Sequence, residues 1–296
     1  MSAPVVDPKT LEDDDVLIAP APTPKTAYFS ALASSYAAQT GNSTRDLFAL
    51  LLEDIECILP VAAGSKVHDN AAGPGVATSV LLSRLPAASL ASTDILVTDN
   101  VPAMVTAARD LLSPLLTECT ITVSEMDSQS LTAIPDESFT HSILNFSIFV
   151  MDEPLKCLQE IYRTTAVGGL AVLTTWKRFG VGEVVRAAQA KVRPDLPAMP
   201  IAKEIFTREG HLAGLAAEAG FEESKMKVVS RKIAVKEADL EGLRAFTLGP
   251  FMEPARKGWT TEEASRWAQA VDEALEEEAA RDGGMVFESW AVLATK

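Results

Sequence analysis

Val67-His68-Asp69-Asn70-Ala71-Ala72-Gly73-Pro74-Gly75 is the stretch on which the reading of the fold turns. Val67-His68 reads as a short strand entering Asp69. Small residues follow, and Thr78 to Arg84 then reads as a helix. A strand that passes through a glycine turn into a helix opens an α/β unit. The rhythm repeats downstream. Ile95 to Asp99 is an apolar strand ending in an acid, and Pro102 sits near the first position of a helix reaching about Leu112. Thr120 to Val123 is a strand leading to Met126-Asp127. Thr140 to Phe146 is a strand, Pro154 opens a helix to about Thr165, and Gly168-Gly169 is read as ending that helix before the strand Leu170 to Trp176. Such alternation predicts a mostly parallel sheet with helices on both faces. Ligands then bind outside the carboxyl ends of the strands, so the residues just after each strand matter most.

Working outward, residues 1-24 are rich in Pro, Asp and Ala and read as a flexible acidic arm. Leu32 to Gln39 reads as a short helix, and Ser43 as the cap of a helix carrying Leu47, Leu51, Ile55 and Ile58 on one side. The core spans 25-176. Residues 177-206, with Pro194, Pro197 and Pro200, break the rhythm and read as a cap insertion. Residues 207-237 return to the core with a helix from Thr207 to Ala219 and a strand from Met226 to Val235. Residues 238-283 read as a helical cap insertion and 284-296 as the final core strand. The run Glu276-Glu277-Glu278 reads as a solvated helix face.

The chain has 296 residues, 47% of them hydrophobic, which is ample for a buried core. Its net charge of −15 argues against nucleic acid and anionic membrane surfaces as partners. It has no apolar run long enough to span a bilayer and no signal-peptide pattern, so a cytoplasmic protein is expected. Cys57, Cys119 and Cys157 form no paired spacing, and neither a metal site nor a disulfide framework is expected. His68, His141 and His211 read as packing or locally bonded residues rather than as catalytic bases. Oligomeric state is left open.

The acids after successive strands suit a sulfonium amino acid joined to adenosine. Gly73 and Gly75 allow close backbone approach. Asp69 can accept from an ammonium group, directly or through water. Asp99 can accept from both ribose hydroxyls, and Asp127 from the adenine amino group. Met126 or Val101 would plate the adenine ring. Asn145 and Phe146 end the fourth strand, beside the expected methyl group. A dinucleotide fingerprint would need glycine where Thr78 stands, so Gly73-Pro74-Gly75-Val76-Ala77-Thr78 fails that test.

With these residues in place, the chain resembles the class I S-adenosylmethionine-dependent methyltransferases, and fungal enzymes that methylate small natural products in particular. Asp69 to Gly75 resembles the first motif, an acid followed by G-x-G-x-G. Thr98-Asp99-Asn100-Val101-Pro102-Ala103-Met104 resembles the second. Met126-Asp127, Ile134 to Phe139 and Arg163 to Gly169 resemble later blocks in order and spacing. The segment from Phe29 to Tyr36 resembles one that lies over the cofactor. The resemblance covers about residues 28 to 176. It departs at Ala71, where the first glycine usually sits, at Asn70, at Val167 and at Thr140. It implies a Rossmann-like seven-stranded sheet with a helical cap insertion. It also implies S-adenosyl-L-methionine as cofactor, S-adenosyl-L-homocysteine as product and a role in secondary metabolism. Tyr36, Ala71, Asn100 and Met104 join the cofactor residues on the same ground.

Trp176, Phe179, Phe246, Phe251 and Met252 fall in or near the expected cap and are candidates for an apolar substrate pocket, with core packing as the competing role. The expected activity is methyl transfer to the S, N or O atom of a small, largely apolar acceptor. The alternative is a non-enzymatic cofactor-binding regulator or partner subunit. No catalytic residue is assigned.

Overall fold

In the computed structural model, which describes residues 25–115, 119–199 and 204–296, seven strands make one sheet. They are β1 (Lys66–Asn70), β2 (Asp94–Asp99), β3 (Thr120–Glu125), β4 (Phe139–Leu144), β5 (Thr165–Phe179), β6 (Met226–Val235) and β7 (Met285–Thr295). Their spatial order is β3-β2-β1-β4-β5-β7-β6. Pairs from β3 through β5 are parallel, and β7 is antiparallel to both β5 and β6. This is the mostly parallel Rossmann-like sheet that the strand–helix alternation predicts. The expected arm over 1-24 lies outside the described residues.

Alternation along β5 shows how both faces are buried. Leu170 and Val172 join Val67, Ile95 and Ile143 in a core capped by helices Ser43–Ala49, Leu52–Ile58, Val76–Arg84 and Pro102–Leu112. Ala171 and Leu173 face the other way, onto helices Pro154–Thr164 and His211–Ala219. Each fully buried leucine, isoleucine or valine among them contributes about 1.5–3 kcal/mol. A third cluster joins Val184 and Val185 of helix Gly180–Val192, Leu243 of helix Glu237–Leu248, and Trp267 and Val271 of helix Trp267–Asp282. Phe146, Trp176 and Phe287 reach it from the sheet, so this helical layer is packed onto the strand ends. No helix among the described residues is long and apolar enough to cross a membrane.

Several boundaries differ from expectation, each for a local reason. The helix after Pro154 ends at Thr164, and Gly168-Gly169 lie inside β5. Gly168 takes φ +78°, donates its N–H to the Lys296 carbonyl at 3.0 Å, and marks an irregularity in the β4–β5 register. A Cβ on Gly169 would meet the Ala166 and Thr140 carbonyl oxygens at 2.9 and 3.0 Å. The glycines therefore admit a bulge rather than cap a helix. β5 also continues through Lys177–Phe179, of which Arg178 and Phe179 pair with β7 past a register shift at Lys177, instead of starting a cap. The single helix expected from Ser43 divides in two at Leu50 and Leu51; Leu51, Ile55 and Ile58 still share one core, whereas Leu47 packs into the cluster of the helical layer. The helix expected from Thr207 starts at His211, behind a 3-10 turn at Glu204–Thr207. Glu278 is buried, not solvated: Arg178 donates to it at 2.8 Å and Arg281 pairs with its other oxygen.

Candidate active site

The strand order reverses between β1 and β4, and a crevice opens at their carboxyl ends. The loop after β1 is shaped by backbone conformation. Ala71, Gly73 and Gly75 all have positive φ, at 49°, 56° and 80°. Glycine takes this region freely, whereas alanine is strained by about 1 kcal/mol there. A Cβ on Gly73 would find only Met104 Sδ, at 3.9 Å, so the residue leaves open space on the crevice wall. Gly75 does a different job. Its Cβ would press on Leu112 at 3.0 Å, so it sets how closely the following helix packs.

Asp99 ties the second loop to the first. Its Oδ2 accepts from the Gly73 N–H at 2.8 Å and its Oδ1 from the Val101 N–H at 2.9 Å. Burial raises its pKa, while the amides of Val101, Gly73 and Asn100 oppose that rise. A carboxylate has about four acceptor sites, so capacity remains toward the cleft. Behind it, Asn70 Oδ1 accepts from Ser128 Oγ at 2.8 Å and from Thr98 Oγ1 at 3.3 Å. His68 Nε2 lies 2.9 Å from Thr98 Oγ1, and burial lowers the pKa of His68 to about 3. His68 is therefore a neutral member of a buried network. His141 likewise faces the Leu59 carbonyl at 2.9 Å, and His211 packs edge-on against Phe206.

The resulting cleft is lined by Tyr36, Ala71, Gly73, Asp99, Asn100, Met104, Asp127, Asn145 and Phe146, nine of the twelve expected cofactor residues. The other three, Asp69, Gly75 and Met126, are not on its wall. Asp69 is fully buried, and its Oδ2 accepts from the Thr78 N–H at 3.0 Å and from Thr78 Oγ1 at 2.7 Å. It thus holds the start of the following helix, as a carboxylate does at a helix N-terminus. Its Oδ1 has no partner among the described residues. Met126 packs with Leu131, Ile134 and Phe139.

A second cavity of about 550 Å³ adjoins the first, which measures about 160 Å³. Phe29, Tyr36, Thr44, Phe146 and Val150 line both. All five expected substrate residues, Trp176, Phe179, Phe246, Phe251 and Met252, line the larger cavity. Phe146 stands on the shared wall at φ +51°, a strained conformation for a bulky residue. Its N–H is held by Thr174 Oγ1 at 2.8 Å and its ring lies 4.1 Å from that of Trp176. Thr174 in turn donates to Asn145 Oδ1 at 3.0 Å. Tyr28 stacks on Phe251 at 3.9 Å and joins helix Lys25–Leu32 to the helical layer. Burial raises the pKa of both Tyr28 and Tyr36, which keeps them phenols.

Sequence reasoning passed over Thr44, Ser147, Phe149 and Lys257, all on these walls. Ser147 and Phe149 follow β4, and the strand-end rule could have flagged them. Thr44 and Lys257 carry no such signal. The hydroxyl of Ser147 is buried without a partner among the described residues, which suits a polar ligand in the cleft.

Comparisons with known proteins fit this geometry. A family model described as a methyltransferase domain matches residues 69–173. Methyltransferase ucsB from an Acremonium species is 25% identical over 179 residues, which is 58% of this chain and 62% of the relative. The chain thus spans less than two thirds of that relative's length. Among solved structures, the [4+2]-cyclase SpnF is 15% identical, with 93% of this chain and 98% of that one covered at a TM-score of 0.50. The YcgJ protein from Bacillus subtilis is 13% identical, with 85% and 98% covered, also at 0.50. At such identities the two structures speak to the fold alone. Over residues 69–173 the chain is thus similar to a methyltransferase domain, and its motif order and sheet topology agree with that likeness.

Proposed function

We propose that this protein transfers a methyl group from S-adenosylmethionine to the S, N or O atom of a small, largely apolar acceptor. The observation that carries the reading is the pair of adjoining cavities at the carboxyl ends of β1 and β4, one polar and acidic, the other aromatic. The residues present fit the cofactor. Asp99 keeps acceptor capacity toward ribose, Asp127 stands after β3 to accept from adenine, and Gly73 leaves room for close approach. When bound, the cofactor supplies an electrophilic methyl on sulfur with a neutral thioether leaving group.

The chain's own task is then alignment and exclusion of water. Phe146, held from behind by Thr174 and Trp176, fixes the wall between the two cavities. No histidine or carboxylate of the described residues lines the larger cavity. The phenols of Tyr28 and Tyr36 are hydrogen-bond donors near neutral pH, not bases. An acceptor that needs little help in losing its proton fits this lining best. A role in secondary metabolism accords with an apolar aromatic pocket.

Calorimetry with S-adenosylmethionine and S-adenosylhomocysteine, followed by mass spectrometry of a panel of apolar thiols, amines and phenols, tests the reading. One methyl added per transfer is expected. Folded protein that binds neither nucleoside would overturn it.

A further inference from the structure

The larger cavity has one unusual property, which concerns charge. Its described lining holds a single formally charged side chain, Lys257, among aromatic and aliphatic neighbours. The chain carries 41 acidic residues against 26 basic ones, yet none of the described acids lines this wall. Lys257 forms no ion pair with any described residue, whereas Lys177, Lys191, Lys225, Lys227 and Lys232 each pair with a carboxylate. The adjacent Arg256 is turned onto the Trp267 ring instead.

The backbone at Lys257 is firmly placed. Met252, Ala255 and Trp259 are all buried in the helical layer on either side of it. Its own N–H is bonded to the Pro254 carbonyl at 3.3 Å. The side chain is exposed and lies outside the wall shared with the cofactor cleft. An ammonium at the mouth of an apolar cavity attracts an anion more strongly than it would in open water, because the apolar walls lower the local dielectric.

We propose that the acceptor is an apolar molecule bearing an anionic group of the carboxylate or sulfonate class, and that Lys257 is a specificity-determining residue that meets this group at the cavity mouth. The apolar body then occupies the aromatic walls, and the acceptor atom is presented at the shared wall formed by Tyr36, Thr44 and Phe146. This rests on the methyltransferase reading for what happens at that wall, but the charge recognition can be measured on its own.

The probes are 8-anilinonaphthalene-1-sulfonate and N-phenyl-1-naphthylamine, which share a ring system and differ by the sulfonate. Both are titrated by fluorescence against the full chain. In Lys257→Met the sulfonate is expected to bind about three- to fivefold more weakly, the range for a partly exposed ion pair. The neutral probe should change by less than about twofold on the same scale. Lys257→Arg should keep sulfonate affinity, and Lys257→Glu should lower it beyond the methionine variant. Lys225→Met, on neither cavity wall, should change nothing. The proposal is overturned if both probes weaken in parallel, if neither responds, if Lys225→Met matches Lys257→Met, or if neither probe binds. Calorimetry with S-adenosylhomocysteine on the same variants separates the two readings. Lost charge discrimination with intact nucleoside binding overturns only the anionic acceptor. Intact discrimination without nucleoside binding overturns only methyl transfer.

Discussion

Asp99 and Asp69 are both aspartates at strand ends, yet their surroundings assign them different tasks. Asp99 faces the cleft and is bonded to two loop amides. Asp99→Ala is expected to weaken S-adenosylhomocysteine binding by about 1.5–3 kcal/mol, the range for hydrogen bonds to a charged group. Calorimetry on the folded variant checks this, and unchanged affinity would remove Asp99 from the ribose role. Asp69 is sealed behind the loop, and burial raises its pKa from 3.8 to about 6 despite the opposing bonds from Thr78. The unfolded chain loses this proton at lower pH than the native state does. Between pH 3.8 and about 6 the native state therefore holds more protons, and stability from this group falls as pH rises through that window. The loss is on the order of 1–3 kcal/mol. Asp69→Asn should flatten that part of the pH–stability curve in denaturant titrations, and an identical slope in wild type and variant would refute the assignment.

β6 illustrates what an element needs beyond its own pattern. It forms an edge of the sheet and carries Lys227, Arg231 and Lys232, charges that discourage pairing with another chain. Two of these cations converge on Asp54 of helix Leu52–Ile58. Lys227 donates to it at 2.8 Å and Arg231 pairs with its second oxygen. Asp54 is buried while Lys227 is half exposed. Asp54→Ala should therefore cost about 1–3 kcal/mol, less than a fully buried pair would. Urea denaturation measures this, and a change below about 0.5 kcal/mol would show the ties to be incidental. No reading of the sequence could pair Asp54 with residues so far along the chain. Elements with strong local signals were legible: the Pro102–Leu112 and Pro154–Thr164 helices begin at their prolines, and Met226–Val235 is the strand expected. Gly168-Gly169 misled because a glycine pair serves a helix end and a strand bulge equally well, and only the β7 neighbour decides. The strand-end rule found most of the cleft because topology fixes it. It could not foresee that Asp69 turns inward, since its partner Thr78 is engaged through helix geometry, nor that Lys257 reaches the cavity, since tertiary packing alone puts it there.

At the scale of the whole molecule, charge is the property that acts beyond contact distance. The chain bears a net charge of −15, and Asp99, Asp127 and Asp152 lie on the smaller cavity. S-adenosylmethionine carries one more positive charge than S-adenosylhomocysteine, because the sulfonium becomes a thioether. An acidic field thus favours the reactant over the product, and it does so through solvent as well as through direct contacts. Salt separates these contributions. Raising ionic strength from about 0.1 M to 1 M shortens the screening length from about 10 Å to about 3 Å. Contacts inside the cleft are little affected, while the field of distant carboxylates is removed. The ratio of S-adenosylmethionine to S-adenosylhomocysteine affinity is therefore expected to fall about two- to fivefold over that range, with the affinity of the neutral product nearly constant. Calorimetry of both nucleosides at each ionic strength reads the ratio directly. A ratio that stays fixed would mean that the preference comes from groups touching the sulfonium. The acidic bulk of the molecule would then contribute nothing to clearing product from the site.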